Sequence, residues 1–109
     1  MQLQEEFSLE SVLSIITGIN CTNDFNEVYE LFWFMFEDPF INTLGIVELR
    51  NSARNHILNI HPELHGVKYD KNMNFEKWIN EQKELFGDSL VISVIGEPII
   101  NLEKQPKLV

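Results

Sequence analysis

The chain has 109 residues, 44% of them hydrophobic and 23% charged, a size and composition that fit a single globular domain and exclude a disordered segment. Its net charge of −9 lies entirely before Arg50, where nine acidic residues and no Lys or Arg occur, which argues against direct nucleic-acid binding. A single cysteine excludes an internal disulfide, and no apolar run reaches the roughly twenty residues of a membrane helix, so we expect a cytoplasmic protein.

The N-terminal segment predicts a short strand followed by a helix. In an extended segment, Leu3, Glu5 and Phe7 share one side and Gln2, Gln4 and Glu6 the other, which indicates an edge strand. Ser8 is a favourable N-cap, and apolar residues then recur at helical spacing as far as Gly18, a typical helix stop. We therefore expect the first helix over residues 9 to 17.

The second helix has the clearest start signal in the chain. Asp24 followed three residues later by Glu27 is typical of a capping box, in which each side chain binds a free backbone N–H. Pro39 disfavours helical geometry at the residue before it, so the helix should end at about Glu37.

This helix is amphipathic, with one misplaced aromatic residue. On a helical wheel its apolar face comprises Phe25, Val28, Tyr29, Phe32, Met35 and Phe36. Phe34 lies instead in the middle of the acidic face, and burying it would draw Glu30 and Glu37 toward the interior, where unpaired charge is costly. We expect either that a segment carrying Arg50 and Arg54 covers Phe34, or that Phe34 is an exposed anchor for a partner.

The third predicted helix begins at residue 45 or 46 and ends at residue 60, before Pro62. Arg50 and Arg54 lie one turn apart on it, and pairing with Glu or Asp is their expected role. Three histidines fall within ten residues, but Pro62 separates His61 from His65 and breaks the helix that would align them. We therefore predict no metal site.

The C-terminal half predicts a loop, a helix and a strand. Residues 63 to 72 lack periodicity, after which Asn74 caps a fourth helix that Gly87 ends. Residues 89 to 95 are rich in β-branched side chains and predict a strand buried on both faces or nearly so. Residues 99 to 102 are expected to pair back as a short strand, and the tail from about residue 104 is expected to be loose.

The predicted fold is therefore α+β, with about four helices packed on a small sheet formed by the C-terminal strand and short edge strands, in one compact domain. The chain lacks a Gly-rich phosphate loop, a nucleophile elbow and a Cys–His signature, so we predict neither enzymatic activity nor a cofactor. The second helix would span roughly 22 Å, over which duplex DNA carries on the order of thirteen phosphate charges, far more than this helix offers. A full DNA mimic would need acidic residues from other segments.

Several short stretches form a recognisable pattern. They are Phe7-Ser8-Leu9, residues 12 to 18, Glu27-Val28-Tyr29, residues 61 to 64, Trp78 and Phe86-Gly87. This pattern is similar to a family of small phage and prophage proteins catalogued as a domain of unknown function, over residues 7 to 95. Members of that family typically carry Thr-His-Gln-Leu-Pro-Arg before the third helix, where this chain keeps Thr43 but continues with Leu-Gly-Ile-Val-Glu. The resemblance implies a phage origin and a location in the host cytoplasm, and supplies no catalytic residue.

Together these features predict an acidic phage protein that binds a host protein with a basic surface and inhibits or redirects it, in the manner of an anti-CRISPR inhibitor of antiphage defence. The expected partner-binding residues are Glu27, Glu30, Trp33, Phe34, Glu37 and Asp38. The alternative hypothesis is a self-assembling structural or accessory phage protein whose apolar face pairs with a second copy in a homodimer. A partial DNA mimic and an enzyme rank below both.

Overall fold

Local capping signals divide the chain into short elements, which a computed structural model describes for residues 3 to 95. In chain order they are β1 (Gln4–Ser8), α1 (Leu9–Thr17), α2 (Asn26–Phe36), α3 (Thr43–Ile60), a 3₁₀ segment (Pro62–Gly66), α4 (Phe75–Phe86) and β2 (Ser89–Ser93). The α+β prediction is confirmed, with four helices and a two-stranded antiparallel sheet. The strand expected at 99 to 102 and the tail from 104 lie outside the described residues. None of the helices between residues 3 and 95 has the length and apolar character needed to cross a bilayer.

The predicted bounds of α1 are confirmed, and both of its ends follow from the local sequence. The Ser8 side chain accepts a hydrogen bond from the Ser11 N–H at 3.2 Å, and Gly18 adopts a left-handed φ of 81° and donates its N–H to the Ser14 carbonyl. Seven of its nine residues are buried, six of them in succession from Ser11 to Ile16. Because α1 contacts the other three helices and both strands, it is the central helix about which they pack.

The start of α2 differs from the prediction. The helix begins at Asn26, and Asp24 accepts a hydrogen bond from the Asn26 N–H at 3.0 Å instead of capping as expected. The Glu27 carboxylate does not turn back to Asp24 but accepts hydrogen bonds from the Ser8 and Ser11 hydroxyls, at 2.9 and 3.2 Å. The capping-box interpretation is therefore wrong, because the Glu27 carboxylate that a capping box requires is bound instead at the start of α1.

The arginines of α3 hold the opposite end of α1. Arg50 Nε donates to the Ile15 carbonyl at 3.2 Å, and Arg54 Nε donates to the Ile16 carbonyl at 3.2 Å. The last carbonyls of a helix lack intrahelical partners and carry partial negative charge, so these cations are placed where they stabilise α1. Within residues 3 to 95, neither arginine forms the expected ion pair with an acidic side chain. A Cβ at Gly18 would also lie 2.8 Å from the Arg50 guanidinium, which is a second reason for glycine there.

The N-terminus of α3 also differs, because the helix starts at Thr43, before the predicted residue 45 or 46. Asn42 is its N-cap and accepts a hydrogen bond from the Gly45 N–H at 2.9 Å. At the other end the helix stops at Ile60, as Pro62 predicts. In α4 the predicted caps are both confirmed: Asn74 accepts from the Lys77 N–H at 3.0 Å, and the helix ends at Gly87.

The two strands pair antiparallel, with Glu5 opposite Ile92 and Glu6 opposite Val91. Ile92 and Val94 are buried against the helices, whereas Val91 is 47% exposed. The expectation that this strand is buried on both faces is therefore wrong: the helices cover one face of the sheet, and no element described between residues 3 and 95 buries Val91 on the other.

Two of the three histidines lie along the outer edge of β2. His56 Nε2 binds the Ser93 carbonyl at 2.8 Å, and His61 Nε2 binds the Val91 carbonyl at 2.7 Å. His61 Nδ1 in addition lies 3.2 Å from a carboxylate oxygen of Glu63. The histidines thus connect the C-terminal half of α3 to the sheet, and His65 is an exposed residue of the 3₁₀ segment.

Candidate protein-binding surface

Two of the predicted partner-binding residues serve the fold. Glu27 is half-buried between α1 and α2, where it accepts the two serine hydrogen bonds described above. Trp33 is also half-buried, and its Nε1–H donates to the Ile41 carbonyl at 2.8 Å, which ties the loop after α2 back onto that helix. Both side chains are committed to internal contacts, so they contribute less free surface than the helical wheel suggested.

Phe34, the misplaced aromatic, is half-buried rather than fully exposed. Its ring packs against Phe7 of β1, with centroids 5.3 Å apart and planes inclined by 54°. A segment does cover Phe34, but it is the N-terminal strand and not the segment with Arg50 and Arg54. The neighbouring acids stay at the surface despite this contact: Glu30 and Glu37 are both exposed.

The end of α2 is a well-defined turn. Glu37 adopts a left-handed φ of 53°, and its N–H donates to the Phe34 carbonyl at 3.3 Å. The next residue, Asp38, accepts a hydrogen bond from the Phe40 N–H at 2.9 Å through its carboxylate. The hydroxyl groups of Tyr29 and Thr43 form a hydrogen bond across the same connection. These contacts fix the path of the loop between α2 and α3.

The most exposed large apolar residue follows this turn. Phe40 is 88% exposed, and Leu44 and Val47, one turn apart at the start of α3, are 64% and 68% exposed. Three acidic residues flank them along the chain: Glu37, Asp38 and Glu48, all exposed. We call this group of six residues the junction surface. Phe40 was not among the residues predicted from the sequence, although its position after Pro39 in a short interhelical connection could have indicated an exposed side chain.

Within the described residues, no cation forms an ion pair with the acidic residues of the junction surface. In the part of the chain that the structure describes, the ion pairs are Lys83 with Glu10, at 2.8 Å, and His61 with Glu63. The two arginines of α3 are occupied by α1 carbonyls. The negative potential of the junction surface is therefore not cancelled by a cation that bonds to it within residues 3 to 95.

The clefts of the molecule favour no particular chemistry. One has a volume of about 720 Å³ and lies along α4, with Lys68, Lys77 and Glu81 among its lining residues. A second, of about 440 Å³, is lined by Glu10, Cys21 and other residues. Burial raises the pKa of the Cys21 thiol, despite opposing hydrogen bonds from Thr17 and Ser14, so the thiol stays protonated and is a poor nucleophile at neutral pH.

The pKa of Lys83, at the other end of the ion pair with Glu10, is raised chiefly by its hydrogen bond to that carboxylate. This pair joins α1 to α4 and has a structural explanation.

Comparison of the chain with protein-family models, with curated proteins and with solved structures finds no match. The function therefore has to be argued from the geometry.

Proposed function

We propose that this protein acts by binding another protein through the junction surface, and that the partner presents a basic surface with an apolar pocket. The observation that carries the proposal is the 88% exposure of Phe40 on a turn fixed by hydrogen bonds and flanked by acidic residues that form no ion pair within residues 3 to 95. Exposed aromatic side chains on rigid loops are the typical anchors of protein interfaces.

The energetics favour such an anchor. Burying one large apolar side chain contributes about 1.5–3 kcal/mol, so Phe40, Leu44 and Val47 together can offset much of the roughly 4–15 kcal/mol that association costs. The acidic residues contribute mainly to encounter and orientation, because charge complementarity raises the association rate more than it raises affinity. A fixed turn also lowers the entropy lost on binding, since the loop is already ordered.

We further propose that binding inhibits or redirects a host protein in the cytoplasm, and that the protein is a phage-encoded inhibitor of host defence. This part of the proposal rests on the resemblance described under the sequence analysis and on the concentration of negative charge in the first half of the chain. Of the residues predicted from sequence, Glu37 and Asp38 belong to the junction surface, and Glu30 lies two turns before Glu37 on the exposed side of α2.

The test is a comparison of two truncations of exposed apolar side chains. Phe40→Ala removes the anchor, whereas Leu85→Ala, the matched control, shortens a 71% exposed residue of α4 far along the chain. Each protein is immobilised and exposed to host lysate, bound proteins are identified by mass spectrometry, and the affinity of the recovered partner is then measured with purified components. We expect Phe40→Ala to weaken binding by about 2 kcal/mol or more, as for other interface anchors, and Leu85→Ala to have no effect.

Equal binding by Phe40→Ala and the wild-type protein would contradict the proposed surface. The same apolar residues also support the alternative of self-assembly, in which a second copy covers Phe40. Light scattering coupled to size-exclusion chromatography separates the two. A homodimer that Phe40→Ala dissociates would replace the proposal, whereas a monomer that still binds its partner through Phe40 supports it.

A further inference from the structure

The two edges of the β-ribbon are not equivalent. The Val94 N–H donates to the Leu3 carbonyl and the Leu9 N–H donates to the Asp88 carbonyl, both in the register that pairs Glu5 with Ile92. Residues with odd numbers in β1 therefore direct their N–H and C=O groups toward β2. It follows that Gln4 and Glu6 direct their main-chain groups away from β2, toward the outer edge of the ribbon.

The outer edge of β2 is closed. The carbonyl of Ser93, which points away from β1, is bound by His56 of α3, and that of Val91 by His61, the residue directly after α3. Just beyond the strand, the Ile95 N–H donates to the Met35 carbonyl of α2 at 2.8 Å. The side chains of α3 thus occupy the hydrogen-bonding positions that another strand would need.

The outer edge of β1 is unpaired within residues 3 to 95. No group among them binds the main-chain N–H or C=O of Gln4 or Glu6, and both residues are exposed, as is Glu5 between them. The one hydrogen bond in this stretch involves a side chain, with the Ser89 hydroxyl donating to the Glu6 carboxylate at 2.6 Å. A row of unpaired main-chain donors and acceptors on an exposed strand is the template for strand addition.

We propose that the open edge of β1 binds an extended, basic segment of another protein, which adds to the ribbon as a third strand. Glu5 and Glu6 project to opposite faces of β1, so each places a carboxylate beside a cross-strand position on its own face. Two consecutive basic residues in the incoming strand match this arrangement. The Glu5 face also carries Phe7, whose ring packs on Phe34, and offers apolar surface to the stem of a lysine or arginine.

The charges also argue against a second copy as the occupant. If two β1 strands paired with each other, the acidic residues of one would face the acidic residues of the other, and like charges in directly opposite positions are destabilising. Charged side chains on an edge strand are a common means of preventing self-association. The same side chains attract a strand of opposite charge. This edge and the junction surface are separate sites, so the inference does not depend on the proposed function.

The test uses the intact chain and a fluorescein-labelled peptide of eight residues, with Lys-Arg at its centre and alternating Thr and Val on either side. Binding is followed by fluorescence anisotropy at low salt. Glu6→Gln removes the charge and keeps the N–H, whereas Glu6→Pro removes the charge and also the outward N–H. Because that N–H takes no part in the β1–β2 ladder, proline is tolerated at this position, which a thermal melt verifies.

We expect Glu6→Gln to weaken peptide binding a few-fold and Glu6→Pro to weaken it by about tenfold more, as for the loss of one intermolecular hydrogen bond. A peptide N-methylated at alternate residues, so that it cannot donate to the edge, should not bind. Phe40→Ala should bind the peptide as tightly as the wild-type protein, which separates this result from a failure of the junction surface.

Three outcomes would overturn the inference. The first concerns peptide binding. It would be the absence of binding at millimolar peptide, equal binding by the Glu6→Pro and Glu6→Gln variants, or a methylated peptide that binds as tightly as the unmethylated one. The second is a wild-type dimer that Glu6→Pro dissociates, since a second copy would then occupy the edge. The third comes from amide hydrogen exchange: a Glu6 N–H that is already protected in the free monomer means that the chain covers its own edge. Fast exchange that the peptide slows supports the proposal.

Discussion

Arg50 and Arg54 carry two of the eight positive charges of the chain, and both are used to close the end of a helix. Their guanidinium groups bind main-chain oxygens of α1, where charge-assisted hydrogen bonds and the helix dipole act together. The acidic residues of the first half are left without these two partners as a consequence. The contacts of these two arginines with α1 therefore have two effects: they stabilise the central helix, and they leave the acidic surface without two cations.

Replacement of Arg50 by methionine should therefore destabilise the fold. The variant keeps an aliphatic stem but loses the hydrogen bonds to the carbonyls of Ile15 and Ile16, and we expect a loss of about 1–2 kcal/mol in the free energy of unfolding. Lys71→Met is the matched control, because Lys71 is an exposed cation of a loop. Urea denaturation measures both. If the two variants unfold at the same urea concentration, the role given to Arg50 is wrong.

Glu27 shows how a single side chain connects two elements. It projects from the first turn of α2 and binds both hydroxyls at the N-terminus of α1, one of them from the N-cap Ser8. A carboxylate at this position also interacts favourably with the positive end of the α1 dipole. The packing of α2 on α1 is therefore fixed by a polar contact at one end as well as by apolar burial along its length.

The matched pair Glu27→Gln and Glu30→Gln tests this connection. Both changes neutralise one acid of the same helix, but only Glu27 has hydrogen-bond partners, whereas Glu30 is exposed. We expect Glu27→Gln to lower the free energy of unfolding by about 1 kcal/mol and Glu30→Gln to change it by less than about 0.5 kcal/mol. Equal stability of the two variants in urea unfolding would contradict the connection.

At the scale of elements, the sequence predicted what depends on neighbouring residues. The bounds of α1 and α4 follow from Ser8, Gly18, Asn74 and Gly87, whose effects are local, and both were correct. The start of α2 was wrong because Glu27 has its partners in another element. Whether β2 is covered on both faces is likewise a matter of tertiary packing, which a seven-residue segment rich in β-branched side chains does not specify.

The candidate site shows the same division. The exposure of Glu37 and Asp38, the two residues that follow α2, could be expected from their charge. That Phe34 is covered by Phe7 depends on where β1 lies, and no spacing within α2 carries that information. Phe40 lies in a connection without periodicity, so a helical wheel does not include it. Among the large apolar side chains of residues 3 to 95 it is nevertheless the most exposed.

For the whole molecule, the uneven distribution of charge predicts how binding responds to salt. Long-range attraction between an acidic surface and a basic partner is screened over about 10 Å at 0.1 M ionic strength. We expect the association rate with the partner to fall by tenfold or more between about 50 and 500 mM NaCl, with a much smaller change in the dissociation rate. Surface plasmon resonance measures both rates.

A pair of charge reversals locates the effect. Glu37→Lys alters the junction surface, whereas Glu84→Lys makes the same change in net charge at an exposed position of α4. The first should slow association markedly more than the second at low salt, and the two should converge at high salt. Equal slowing would show that net charge, and not the junction surface, governs encounter.

The histidine contacts along β2 have a consequence for stoichiometry. Within residues 3 to 95, histidines bind the outer edge of β2 and nothing pairs with the outer edge of β1, so this described part of the chain offers a single edge at which a strand could join. In the vocabulary of polymer chemistry it is monofunctional: it can end a β-sheet contributed by a partner but cannot bridge two of them. Any assembly built through this ribbon would therefore stop at one copy of the protein per available strand.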